Sequence, residues 1–204
     1  DHAVGNNLQN AHQVEILRGA AALLYGSGSS GGLVNVVNDR ILTNLPDRPT
    51  GAVNTSYETV NNGRAGALEV DGAHGSVAVH VDTAINNANN YRIPGSSTQS
   101  QGEPVGGWTV PPAGNGGNNY TGKLPNSYSN QNNLGVGVSY IGQSGYTGVS
   151  VERLNNNYGI PTPEGGSIHQ SQNRYDLQHQ TRDPFEGFSS FKFNAANSNY
   201  NHAE

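Results

Sequence analysis

Three groups of residues have types and spacings that could do chemistry. Gly26-Ser27-Gly28-Ser29-Ser30-Gly31 satisfies G-x-G-x-x-G. That pattern wraps a dinucleotide pyrophosphate when a strand precedes it and a helix follows. Here the order is reversed, with helix formers at 20–24 before it and a β-branched run at 33–37 after it. No phosphate-loop lysine accompanies it. The glycines are therefore expected to make a tight turn that needs positive φ. His80 and Asp82 lie two apart and share a strand face, a spacing that suits a metal but equally describes any polar sheet face. Glu15 and Arg18 lie three apart; an exposed pair of this kind contributes under about 1 kcal/mol. His12, His74, His169, His179 and His202 show no ligand spacing. His179 falls on the apolar parity of its segment and is expected near an interface. No Ser-His-Asp set or paired-carboxylate constellation stands out, so no enzymatic activity is expected.

The elements that must position these groups fall into two parts. Residues 14–38 form the densest apolar stretch, reading as strand (14–17), short helix (20–24), glycine turn and strand (33–37). Residues 39–50 carry Pro46 and Pro49 and end the compact part, which places a boundary near residue 48. From Gly51 the period is two. Val53, Thr55 and Tyr57 share one face, as do Leu68 and Val70, and then Val77, Val79, Val81 and Ile85. Alternation resumes at Leu134, Val136, Val138 and Tyr140, and continues through Val149 and Val151, Tyr175 and Leu177, and Phe191 and Phe193. Short Asn/Gly connections alternate with long polar tracts at about 86–132 and 155–172.

The chain has 204 residues, a net charge of −5, 33% hydrophobic residues and 28 Gly. Ten Tyr recur within alternating segments, which favours turn-rich β structure over disorder. The mild acidity excludes a basic stripe for nucleic acid. No Cys is present, so disulfides and thiolate metal sites are excluded. No run of about 18 apolar residues exists to make a transmembrane helix. Segments of about 9–12 residues with alternating short and long connections match strands that cross an outer membrane. A soluble β-sandwich with one buried face is the alternative. About six such strands cannot close a pore-sized barrel. Together with the absence of Met, this leads to the expectation that the chain is an internal piece of a longer protein.

Val14-Glu-Ile-Leu-Arg-Gly19, Leu23-Leu-Tyr-Gly-Ser-Gly28 and Gly31-Gly-Leu-Val-Asn-Val-Val37 resemble the plug domain of TonB-dependent outer-membrane receptors. The match covers about residues 1–45, departing at Ala20, where the family usually has Pro. Asn89-Asn-Tyr-Arg-Ile-Pro-Gly95 and Asn155-Asn-Asn-Tyr-Gly-Ile-Pro161 are similar to loop starts in the family's barrels. The resemblance implies a membrane all-β protein. Residues 1–48 would be the C-terminal part of an α/β plug, and residues 49–204 the first strands of a 22-stranded transmembrane β-barrel. It also implies the bacterial outer membrane, outer-membrane lipid as surroundings, a monomer, and TonB with its inner-membrane energising complex as partner.

Asp1-His2 resembles the ligand pair of the zinc-receptor type within that family, which makes zinc the implied cargo and Asp1 and His2 its ligands. Asp176, on the polar face of its strand, is the candidate third ligand. The family also implies that plug charges, here Glu15 and Arg18, pair with lumen-facing carboxylates such as Glu58 or Glu69. An iron-siderophore receptor using Trp108 and Tyr120, and a non-transporting surface β protein or adhesin, are the alternatives.

Overall fold

The computed structural model describes residues 11–19, 32–97, 120–161 and 166–204. All regular structure among them is β. The helix expected at 20–24, the glycine turn at 26–31, Asp1, His2 and Trp108 lie outside the described residues.

Strands β1 (Gln13–Leu17) and β2 (Leu33–Val37) pair antiparallel, Gln13 opposite Val37 and Leu17 opposite Leu33. Their β-branched composition anticipated both. The chain then crosses residues 38–49 and enters a seven-stranded antiparallel sheet. Its members are β3 (Thr50–Glu58), β4 (Gly63–His74), β5 (Val77–Ala88), β8 (Ser129–Ile141), β9 (Gly145–Ile160), β10 (Gly166–Phe185) and β11 (Phe188–Ala203). Each strand pairs with the next in that order. Between β5 and β8, β6 (Arg92–Ser97) and β7 (Tyr120–Lys123) form a separate two-stranded arm. The connections β4–β5, β8–β9 and β10–β11 are short and lie at one end. The β3–β4 turn is at the other end, where Asn62 takes a positive φ of 50° and Asn61 Oδ1 accepts from the Gly63 amide at 2.8 Å.

Two expectations about loops are corrected. The tract 86–132 is strand at both of its described ends, and of the tract 155–172 only residues 161–165 lie between strands. Residues such as Asn155-Asn156-Asn157 are polar on both faces, so hydropathy gives no period there. Main-chain pairing with β8 and β10 makes them strand anyway. The strands therefore run to 20 residues rather than about 9–12.

The sheet is amphipathic with the apolar side outermost. Val53, Leu68, Val70, Val79, Ile85, Leu134, Val138, Val149, Val151 and Tyr175 are all among its exposed large hydrophobics, Ile85 and Val149 at 53% each. On the central strands the opposite parity is buried and mixed: Asp82 is 1% exposed and His80 5%, with Asn133, Ser139, Asn156 and Gln170 also buried, beside Ala67, Ala78, Ala84, Leu154 and Ile168. A soluble sandwich shows the reverse. Register joins the apolar residues into cross-strand rows, Val70–Val81–Val136–Val151–Tyr175 and Val79–Val138–Val149–Leu177–Ala195. At the short-turn end the next row is His74–Val77–Tyr140–Thr147–His179–Phe193. His179 therefore sits where its parity predicts, with Thr147 Oγ1 2.8 Å from its Nδ1 and the Phe191 ring centroid at 6.2 Å. The far edge of the apolar belt drifts along the sheet, from Ile85 on β5 through Leu134 on β8 to Val151 on β9. Strands tilted through a flat apolar slab produce such a drift.

Candidate functional site

The buried polar face is organised around a notch. Three inward rows run Glu69–Asp82–Gly135–Glu152–Arg174, Asp71–His80–Gly137–Ser150–Asp176 and Ala78–Ser139–Gly148–Gln178. Glycine thus removes the side chain at neighbouring places on β8 and β9. Into that space the segment after β2 lays Arg40 and Ile41, both buried. A Cβ at Gly137 would overlap the Arg40 carbonyl, one at Gly135 the Arg40 side chain and Asp82, and one at Gly148 the Ile41 side chain. Absence of a side chain is what admits a second backbone so close.

Asp82 and Glu152 stand two strands apart in one row, about 10 Å at ~4.8 Å per strand, too far to touch. The Arg40 guanidinium bridges them over Gly135. Its Nε and Nη2 donate to Asp82 Oδ2 and Oδ1 at 2.5 and 2.9 Å. Its Nη2 and Nη1 reach Glu152 Oε1 and Oε2 at 2.7 Å each. Asn133 Nδ2 lies 3.3 Å from both Asp82 Oδ1 and Glu152 Oε1. Planar forks of this kind suit arginine rather than lysine. Burial alone would lower the Arg40 pKa. Its hydrogen bonds to Asp82 and then Glu152, with their charges, outweigh burial and hold the pKa above its ordinary value. His80 extends the network, with Nδ1 2.6 Å from Asp71 Oδ1 and Nε2 3.5 Å from Asp82 Oδ2. The His80–Asp82 spacing thus serves a charge network.

The residues singled out from the sequence fall elsewhere. Glu15 accepts from Gln13 at 3.1 Å and Asn35 at 3.0 Å, within the two-stranded sheet. Arg18 is exposed just after β1. Glu58 accepts from Asn61 at 3.1 Å at the β3–β4 turn. Glu69 occupies the inward row opposite Asp82. Among the described residues no ion pair joins these four. A cation from the first part meeting carboxylates of the large sheet does occur, but with Arg40, Asp82 and Glu152. The signal for it was Gly135 and Gly137 at alternate positions of a strand otherwise lined by Leu134, Val136 and Val138.

Asp176 faces inward as expected, and its carboxylate takes a bidentate fork from Arg174, Nε to Oδ2 at 3.0 Å and Nη2 to Oδ1 at 2.9 Å. Both line a polar cavity of about 420 Å³ between β2 and the inward face, with Asn35, Glu152, Gln172 and Gln178. Among the described residues no three His, Asp or Glu converge as a metal site. No protein-family model matches the sequence. The observations that bear on function are therefore the inverted amphipathicity of the sheet and the charged seat for Arg40 on its polar face.

Proposed function

We propose that the chain is part of a TonB-dependent outer-membrane transporter that imports a scarce nutrient. The observation that carries this reading is the sheet's inverted amphipathicity: an apolar belt outward, with carboxylates, amides and glycines inward and the one long connection, β5–β8, at the end opposite the three tight turns. Both edge strands, β3 and β11, present one unpaired side among the described residues. In lipid such edges need further strands, as a larger closed barrel supplies. In this reading the inward face lines the lumen, and residues 11–41 belong to the stopper within it. Arg40 is then the ionic contact between stopper and wall, broken when TonB pulls.

Zinc ion is the cargo we propose, on the Asp1-His2 resemblance, and Asp176 would become available only if Arg174 releases it. Zinc uptake by cells carrying the intact protein should stop when the proton gradient is collapsed. Asp1→Ala combined with His2→Ala should lower zinc affinity in calorimetry at least tenfold, two ligands being lost. Unchanged affinity removes the zinc assignment. The amide-rich lumen, with Asn156, Gln170 and Gln172, favours a second reading: a larger hydrogen-bonding cargo such as an iron-siderophore complex. In that case siderophore uptake persists in excess zinc.

A further inference from the structure

The outward face has a charge pattern of its own. The carboxylates within the paired register of the large sheet are Glu58, Glu69, Asp71, Asp82, Glu152 and Asp176, and all take inward positions. The outward positions of that register hold no carboxylate but two exposed cations, Arg64 and Arg153. Each stands just past the apolar belt of its own strand, on the side of the long β5–β8 connection. Arg153 is the next outward residue after Val151, and Arg64 is two outward positions beyond Leu68. Amides fill the space between. Arg64, Asn87, Asn130, Asn157 and His169 make one cross-strand row. In the next row Asn155 donates to Asn132 at 3.1 Å.

We propose that this rim binds the phosphorylated sugar headgroups of glycolipid in the surrounding leaflet. The proposal rests on the reading of the apolar belt as lipid-facing. Continuity with the belt puts the rim at headgroup depth. Arginine forks match phosphate oxygens. Asparagine amides both donate and accept, as sugar hydroxyls require. Confining the carboxylates of the paired register to the other face lowers the repulsion an anionic headgroup would meet. Arg64 and Arg153 are about 14 Å apart across the strands and about 13 Å along them, at ~4.8 Å per strand and ~3.3 Å per residue. They therefore serve separate phosphates rather than chelate one.

The test is flotation of the full chain with vesicles of three kinds: phosphatidylcholine, the same with lipopolysaccharide, and the same with dephosphorylated lipopolysaccharide. The chain should float with all three and prefer the phosphorylated glycolipid about 30-fold, ~5-fold for each arginine at an anionic surface multiplied with favourable geometry. Arg64→Gln with Arg153→Gln should abolish that preference while leaving flotation with phosphatidylcholine intact. Arg64→Lys with Arg153→Lys should keep part of it. A double Gln variant that retains the preference overturns the rim assignment and leaves the lipid-facing belt standing, as does equal affinity for the dephosphorylated lipid. A wild-type chain that floats with none of the vesicles overturns both.

Discussion

Replacing Arg40 with Gln should loosen the segment at 38–49 from the large sheet by about 3–5 kcal/mol, the cost of breaking a buried ion pair from one side. The size follows from what is left behind. Asp82 is 1% exposed, and the Arg40 guanidinium lies between its carboxylate and that of Glu152 over Gly135. Without the guanidinium, a buried Asp82 carboxylate and a part-buried Glu152 carboxylate remain with their charges uncompensated by arginine. Asn133 at 3.3 Å from both, and His80 Nε2 at 3.5 Å from Asp82, are longer contacts than those of Arg40. Arg40→Lys should fall between, because it restores the charge but not the bidentate forks. Arg40→Met with Asp82→Asn and Glu152→Gln should recover most of the loss, since the charges leave together. Limited proteolysis within residues 38–49 and denaturant unfolding read the effect. A Gln variant as resistant as the parent would show that the bridge does not hold the segment.

Gly137→Val should have the next largest effect, near the upper end of the roughly 1–3 kcal/mol typical of overpacking, because the obstacle is backbone. The new Cβ would overlap the Arg40 carbonyl, which cannot rotate away as a side-chain tip can. Gly72→Val is the control: it lies on β4 of the same sheet, with β5 between it and β8, and an added Cβ there meets nothing within 4 Å. Arg40→Gln and Gly137→Val act on one contact, so their combined effect should be well short of the sum. Simple addition would mean that Gly137 matters to the strand itself rather than to the seat of Arg40.

The outward face was legible in the sequence because it depends on a single local rule. Val77, Val79, Val81 and Ile85 repeat with period two whatever pairs with them. The ends of β9 and β10 were not, because Asn155, Asn156 and Asn157 carry no hydropathy contrast and become strand through their partners. The Arg40 seat was legible only in its parts. Asp82 and Glu152 could each be placed on a polar face, and Gly135 and Gly137 could be seen to alternate with Leu134 and Val136. Their meeting depends on register: β8 must set Gly135 between Asp82 and Glu152, and two residues of slip along the strand would separate them. Arg40 could not be told from Arg18 by sequence for the same reason: both are single cations beside short apolar runs. Charge and spacing within a segment do not say which segment lies against the large sheet.

The claim on which the rest depends is that the apolar side of the large sheet faces lipid. The chain has no Cys, so single cysteines can carry a spin label along β5 at residues 77–85 in bilayers. Odd positions such as Val79 and Val81 should be open to lipid-dissolved oxygen and closed to a water-soluble nickel chelate. Even positions such as Ala78 and Ala84 should be shielded from oxygen. A two-residue period of oxygen access in that phase is the expected result. Nickel access at Val79 and Val81 equal to that of a free label in water would contradict a lipid-facing belt, and with it the transporter reading.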